Sequence, residues 1–224
     1  SAVPGFNSRM SELQKHLPIF PLNVVLFPNA VLPINVFEDR YKTMVRHCLD
    51  GDSRFGIALI KSGTEVGDPA EPYHVGTVAN IKRVDQMENG RILLGVKGGS
   101  RFRITELTQI HPYLEGAVEV LNDDEQATVT DQDIENTRQL ATQYVRLLLG
   151  IRGGWVREVE MPSDPCDLSF FVSAMVQVGL PEKQALLEEL SVEKRINAGR
   201  QIMDRESVAL RKKVERTLLR HVRG

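Results

Sequence analysis

The longest apolar run of the chain lies near its start, at residues 17–37, where three asparagines are the only polar side chains. The run is long enough for a membrane-spanning helix, but it contains four prolines. Each proline removes a backbone donor and fixes φ, so a continuous helix cannot form. The pattern predicts two short buried strands joined by an irregular turn, with Pro28 and Pro33 at strand ends or on an edge.

Short patterned segments alternate with turns along the next part of the chain. Helical spacing of apolar residues predicts one short helix, which begins within residues 38–41 and ends at Asp50-Gly51. Apolar and alternating segments then predict short strands over residues 55–60, 75–84, 91–96, 101–105 and 113–121. Short strands separated by turn signals favour a compact barrel or sandwich over a parallel sheet.

Helical signals dominate the second half. Thr130 with Asp133 resembles a capping box, and it predicts a helix that runs to about residue 149. Ser163-Asp164-Pro165 predicts a second helix start. Pro181 and Ser191 open a third and a fourth helix, and the fourth is predicted to reach the C-terminus. We interpret the acidic residues between the two halves as a solvated linker.

The sequence therefore predicts an α+β fold with two subdomains. A β-rich subdomain over residues 10–125 is followed by a helical bundle over residues 126–224, which ends in a long helix. Residues 1–9 precede Met10, and we interpret them as a cloning remnant.

Composition narrows the class of protein. The 28 basic and 30 acidic residues nearly balance, which gives no general attraction to nucleic acid or membranes. Cys48 and Cys166 are too few and too distant for a disulfide framework, and they are typical of a reducing compartment. We expect a cytoplasmic protein that makes no membrane contact.

Common catalytic motifs are absent from the sequence. No glycine precedes a lysine, so there is no Walker A loop, and no histidine precedes a glutamate, so HExxH is absent. No G-x-G-x-x-G occurs, and two distant cysteines give no zinc spacing. We therefore expect no catalytic residues, no metal site and no cofactor.

Three features are candidates for binding. Trp155, the only tryptophan, lies in a glycine-flanked loop beside Arg152 and Arg157. Exposed, it would be an interaction anchor; buried, it would be a plug between subdomains, which is the interpretation we favour. The second feature is a basic C-terminal stretch, which consists of Arg205, Arg211, Lys212, Lys213, Arg216, Arg220 and Arg223.

We interpret that basic stretch as the solvated face of an amphipathic helix. The alternatives are contacts with nucleic acid, a membrane surface or an acidic partner. The third feature is the apolar opening run. Core packing is expected for most of it, but an exposed part would receive an extended hydrophobic segment by edge-strand pairing.

Several motifs in register resemble one family. The run LPIFPLNVVLFPNAVLPINVFEDRY at residues 17–41 is similar to the start of the Lon protease N-terminal domain. Further similar motifs follow at residues 76–79, 90–91, 101–104, 112–114, 164–169 and 182–188. The resemblance implies a PUA-like pseudo-barrel followed by a helical bundle. We interpret the family-signature residues as structural; they are Phe27, Pro28, Leu32, Pro33, Phe37, Glu38, Arg40, Tyr41, Arg101 and Phe102.

The resemblance also implies a function. In full Lon proteases this domain precedes an ATPase and a serine–lysine protease domain, and neither is recognisable here. The chain resembles a stand-alone, non-catalytic module that binds unfolded or extended polypeptide segments, or a protease or chaperone partner, and that can form homo-oligomers. Any peptidase activity attributed to it would be inherited from the family name. The alternative is an RNA- or small-molecule-binding PUA-like domain, with RNA held by the basic C-terminal helix.

Overall fold

The computed structural model describes residues 14–68, 70–124 and 129–222. Described residues up to Asn122 form one compact unit, and those from Asp123 onward form a second. The predicted subdomain boundary between residues 125 and 126 lies outside the described residues. So does the predicted cloning remnant at residues 1–9.

Strands dominate the first unit. Its elements are β1 (Gln14–Leu22), β2 (Val31–Val36), α1 (Asp39–Asp50), β3 (Arg54–Ser62), β4 (Glu71–Gln86), β5 (Ile92–Gln109) and β6 (Leu114–Val120). The opening apolar run thus contains two strands joined by an irregular turn, as predicted. The short helix also begins and ends where the apolar spacing placed it.

One strand prediction is wrong. The two strands predicted at residues 91–96 and 101–105 are parts of a single long strand, β5, which begins at Ile92. The strand is continuous because its two halves have different neighbours: the first half pairs with β2, the second half pairs with β6, and β4 runs alongside both. Gly98 lies within this strand and allows the Phe27 carbonyl to approach, since a Cβ at residue 98 would lie 2.2 Å from that oxygen.

The strands of the first unit close into a ring. β1 pairs with β3 in parallel, and the antiparallel pairs β3–β4, β4–β5, β5–β6 and β6–β1 complete the circuit. This ring is the pseudo-barrel that the sequence predicted. β2 lies outside the ring. Among the described strands it pairs only with β5, so one edge of β2 is open.

Four helices make up the described part of the second unit: α2 (Asp131–Gly150), α3 (Pro165–Met175), α4 (Leu180–Glu188) and α5 (Val192–Val222). The predicted caps are present. Thr130 Oγ1 accepts from the Asp133 N–H at 3.1 Å, and Asp164 Oδ1 accepts from the Asp167 N–H at 2.9 Å. The bundle ends in a long helix as predicted, and no helix in the described ranges is long and apolar enough to cross a bilayer.

A buried arginine organises this second unit. The Arg195 side chain is 0% exposed and donates to Asp123 Oδ1 at 2.7 Å, Ser169 Oγ at 2.7 Å and the Glu189 carbonyl at 2.6 Å. Its guanidinium carbon also lies 3.9 Å from the centre of the Phe170 ring. The solvated-linker interpretation is therefore wrong for Asp123, because the carboxylate neutralises a buried charge.

Candidate functional site

An apolar pocket opens beside β2 in the first unit. Its volume is about 270 Å³, and β1, β2, the start of α1 and the loop at residues 65–66 line it. Three aromatic residues, Phe20, Phe37 and Tyr41, contribute to its wall beside aliphatic ones. A concave, mainly apolar site with a few polar groups is the usual form of a binding site.

Ring stacking builds the wall of the pocket. The rings of Phe20 and Tyr41 stack with centroids 4.0 Å apart, and the Arg40 guanidinium carbon lies 4.6 Å from the Tyr41 centroid. Burial raises the pKa of Tyr41; Arg40 opposes that rise, and the carboxylates of Glu38 and Glu65 add to it. The Tyr41 hydroxyl therefore stays protonated at neutral pH and can donate a hydrogen bond.

Two carboxylates give the pocket an acidic character. Glu38 precedes α1 but makes no capping hydrogen bond, and its Oε2 lies 3.1 Å from Arg40 Nη2. Glu65 Oε1 accepts from the Asn23 N–H at 2.7 Å, and Glu65 forms no ion pair with any residue that the structure describes. A cationic group on a ligand is therefore favoured here, and a phosphate is disfavoured.

The pocket follows the open edge of β2. Residues 32–36 all contribute to its lining. Because successive strand residues point to opposite faces, five consecutive lining residues place the pocket along the strand edge rather than on one face. Exposed apolar side chains border this edge: Val31 is 74% exposed, Phe37 47% and Val66 54%.

Half of the family-signature residues line this pocket, namely Leu32, Pro33, Phe37, Glu38 and Tyr41. Arg40 packs on the Tyr41 ring from the neighbouring position. The sequence predicts a structural role for these residues, and it does not predict that they line a cavity. The structure brings them together because β2 leads directly into α1.

The other signature residues lie away from the pocket. Phe27, Arg101 and Phe102 are buried, and Pro28 lies in the turn between β1 and β2. The Phe102 ring needs two glycines beside it, since a Cβ at Gly76 would lie 2.6 Å from the ring and a Cβ at Gly56 would lie 2.7 Å from it. The packing of Phe102 thus has a structural role.

Trp155 lies on a hydrogen-bonded loop in the second unit, which we call the Trp155 loop (residues 150–157). The Gly154 N–H donates to the Leu149 carbonyl at 2.9 Å, and Gly153 adopts φ 72°. The Arg146 side chain donates to the carbonyls of Val156 and Arg157. These bonds fix the loop backbone on both sides of the tryptophan.

The side chains of that loop point into solvent. Trp155 is 76% exposed, so the interpretation of Trp155 as a buried plug is wrong. Arg152 and Arg157 are exposed as well, and neither forms an ion pair within the described part of the chain. An exposed tryptophan between two free cations is suited to be an interaction anchor.

The basic C-terminal stretch is largely solvated where it is described. Arg205 pairs with Glu182 at 3.0 Å and with Glu206 at 3.1 Å. Arg211, Lys212, Lys213 and Arg216 are exposed on α5, and the side chains of Arg220 and Arg223 lie outside the described residues. A nucleic-acid contact by this stretch stays a prediction.

Sequence comparison decides the family. The model of the ATP-dependent protease La (LON) substrate-binding domain matches residues 16–205. The chain belongs to this family. Lon protease 2 of Myxococcus xanthus is 31% identical over 217 residues, which are 94% of this chain and 26% of that protein. The Lon protease of Anaeromyxobacter dehalogenans is 30% identical over 202 residues, which are 87% of this chain and 24% of that protein.

The LON substrate-binding domain thus spans about a quarter of the length of these relatives. Solved structures agree with the fold. A Lon N-terminal domain protein from Xanthomonas campestris has a TM-score of 0.63 at 26% identity, over 82% of this chain and 96% of that one. The N-terminal domain of a Mycobacterium avium complex Lon protease has a TM-score of 0.54 at 20% identity, which supports the fold alone.

Two pocket residues of this LON substrate-binding domain are missing from the residues that the sequence singled out. Glu65 and Val66 lie in a loop rich in glycine and proline, far along the chain from the apolar run. Only the folded chain brings that loop against α1, where the Gly67 N–H lies 3.5 Å from Glu38 Oε2. An apolar valine in an otherwise polar loop is the one clue that the sequence offers.

Proposed function

We propose that this LON substrate-binding domain binds extended polypeptide segments in the pocket beside β2. The observation that carries the proposal is the coincidence of three features: an apolar pocket of about 270 Å³, an open strand edge along it and exposed apolar side chains around it. Edge strands pair with extended chains through backbone hydrogen bonds, and side-chain pockets then give specificity.

Backbone pairing at this edge is restricted by Pro33. Proline has no N–H, so it removes one possible donor from the middle of β2. Such interruptions protect natural edge strands from pairing without control. The pocket must therefore supply much of the affinity, and we expect ligands to be recognised by an inserted apolar side chain more than by a long ladder.

The acidic groups of the pocket set the preferred sequence. Glu65 forms no ion pair in the described ranges, and Glu38 is balanced only by Arg40. A segment that carries lysine or arginine beside an apolar residue gains attraction, while an acidic segment is repelled. The same charges oppose the phosphates of RNA, so the pocket favours a polypeptide over a nucleic acid.

The proposal assigns binding and no catalysis to this chain. The names of the relatives describe proteins about four times longer, so a peptidase activity is not transferred. A cytoplasmic location and a protease or chaperone as the partner that receives bound segments are parts of the same proposal. Both cysteines are free thiols, which fits a reducing compartment.

A matched pair of variants tests the site. The probe is a fluorescein-labelled extended peptide of about six residues, the length of a typical strand, with one leucine flanked by lysines. Val66→Arg places a cation in the pocket, and Val208→Arg makes the same change on α5 at a valine that is 60% exposed against 54% for Val66. Fluorescence anisotropy gives the dissociation constant for each protein.

We expect Val66→Arg to weaken binding at least about tenfold, because it removes an apolar contact of the pocket and sets a cation against the lysines of the peptide. Val208→Arg should bind like the unmodified protein. A peptide with glutamates in place of the lysines should bind more weakly to the unmodified protein. Equal affinity of both arginine variants for the lysine peptide would overturn the proposal.

A further inference from the structure

Two surface features of the chain are complementary to each other. The Trp155 loop presents an exposed indole between Arg152 and Arg157, and neither arginine has an ion-pair partner in the residues described. The pocket beside β2 is apolar and aromatic, with Glu38 and Glu65 in its lining. One feature is an apolar group with positive charges, and the other is an apolar recess with negative charges.

Hydrogen bonds hold the backbone on both sides of the indole. The chain turns after α2 through hydrogen bonds from Arg152, Gly153 and Gly154 to carbonyls of the last helical turn, at 2.9–3.1 Å. The Arg146 side chain holds the far side of the loop by its bonds to two backbone carbonyls. A backbone that is already held loses little conformational freedom on binding, so more of the contact energy appears as affinity.

The pocket and the indole match in size as well as in charge. The pocket measures about 270 Å³, whereas a cavity of about 150 Å³ is sufficient for a benzene ring. A two-ring indole therefore fits, and the rings of Phe20 and Tyr41 offer it aromatic contacts. The loop arginines would then be attracted to Glu65, which has no ion-pair partner among the described residues, whereas Glu38 already pairs with Arg40.

We propose that Trp155 of one copy of this chain docks in the pocket beside β2 of a second copy. The proposal uses the pocket of the proposed function but names a different occupant. Two copies either exchange their Trp155 loops reciprocally or join head to tail. In both arrangements, occupied pockets are closed to polypeptide segments, so self-association competes with binding.

The contact between the Trp155 loop and the pocket is small, so we expect its affinity to be weak. One loop and one pocket bury less than the roughly 1,200 Å² that stable interfaces need. We therefore expect dissociation constants in the micromolar to millimolar range. The single tryptophan reports on docking directly, because its emission shifts to shorter wavelength when the indole leaves water.

Sedimentation equilibrium and tryptophan emission are measured together from micromolar to millimolar protein. The unmodified protein should gain mass and shift its emission to shorter wavelength as concentration rises. Trp155→Ala should weaken self-association at least about 30-fold, as expected for an interface tryptophan. Val66→Arg should weaken it too and should keep the long-wavelength emission. Val208→Ala, which removes another exposed apolar side chain, should associate like the unmodified protein.

Mixing the two variants gives the decisive result. Trp155→Ala retains the pocket, and Val66→Arg retains the tryptophan. An equimolar mixture should therefore form a mixed complex, although each variant alone stays monomeric. A monomeric unmodified protein at millimolar concentration, self-association unaffected by Trp155→Ala, or no complex in the mixture would each overturn the proposal.

The peptide titration separates this proposal from the proposed function. If the lysine peptide binds but Trp155 never docks, the proposed function stands and the self-docking fails. If Trp155 docks but the peptide does not bind, the self-docking stands and the proposed function fails. If both occur in one pocket, the tryptophan-free peptide should move the emission of concentrated protein back to longer wavelength.

Discussion

Asp123→Ala should destabilise the second unit more than any ordinary surface substitution. The change removes the carboxylate 2.7 Å from the guanidinium of Arg195, which is 0% exposed. Ser169 Oγ and the Glu189 backbone carbonyl still accept from the arginine, but both of these acceptor groups are uncharged. Breaking a buried pair costs about 3–5 kcal/mol. Because the Asp123 side chain is 23% exposed, water reaches that end, and we expect about 2–3 kcal/mol.

Urea unfolding followed by circular dichroism measures this loss, since four of the five described helices lie in the second unit. The control is Glu182→Ala, which removes another carboxylate that pairs with an arginine in the same unit. Glu182 and Arg205 are 41% and 55% exposed, so their pair is worth about 0–1 kcal/mol. Equal losses from both variants would refute the argument that burial sets the cost.

Three further predictions concern packing and protonation. Gly76→Ala places a Cβ 2.3 Å from the Ile57 carbonyl oxygen, and it should lower the free energy of unfolding in urea by about 3 kcal/mol or more. The control Gly51→Ala meets only ordinary contacts. Equal losses from the two variants would contradict the packing argument. Burial lowers the pKa of Lys183 from 10.5 to about 8, so the unfolded chain binds more protons between these values and the Lys183 contribution to stability rises with pH. The unfolding free energy of the unmodified protein minus that of Lys183→Met should rise between about pH 8 and pH 10.5. A constant difference would contradict the lowered pKa of Lys183. Burial and a hydrogen bond to a carboxylate raise the pKa of Cys166 to about 12. At mildly alkaline pH its thiol should therefore react with a disulfide reagent far more slowly in folded than in unfolded protein. Equal reaction rates in the two states would refute the protection of this thiol.

Local signals in the sequence were sufficient for most elements of the fold. The prolines of the apolar run and the caps at Thr130 and Asp164 act through neighbouring residues, so their effects are readable without the tertiary structure. The continuity of β5 was not readable, because it depends on which strands lie beside each half. Glycines that look like breaks in a strand can instead mark close approach of another backbone.

The site was less predictable than the fold. Signature residues such as Phe37 and Glu38 were found, but a motif does not show whether its side chains meet in a core or around a cavity. Glu65 joins them only through tertiary contact. The exposure of Trp155 is also not predictable from the sequence, since tryptophan is usually well buried and only the surrounding packing decides the individual case.

Peptide binding by the two arginine variants tests the central claim most directly. The account predicts that the lysine-flanked peptide binds the unmodified protein and Val208→Arg alike, and that Val66→Arg binds it at least about tenfold more weakly. If Val66→Arg binds the peptide as tightly as Val208→Arg does, the pocket beside β2 is not where this domain holds polypeptides.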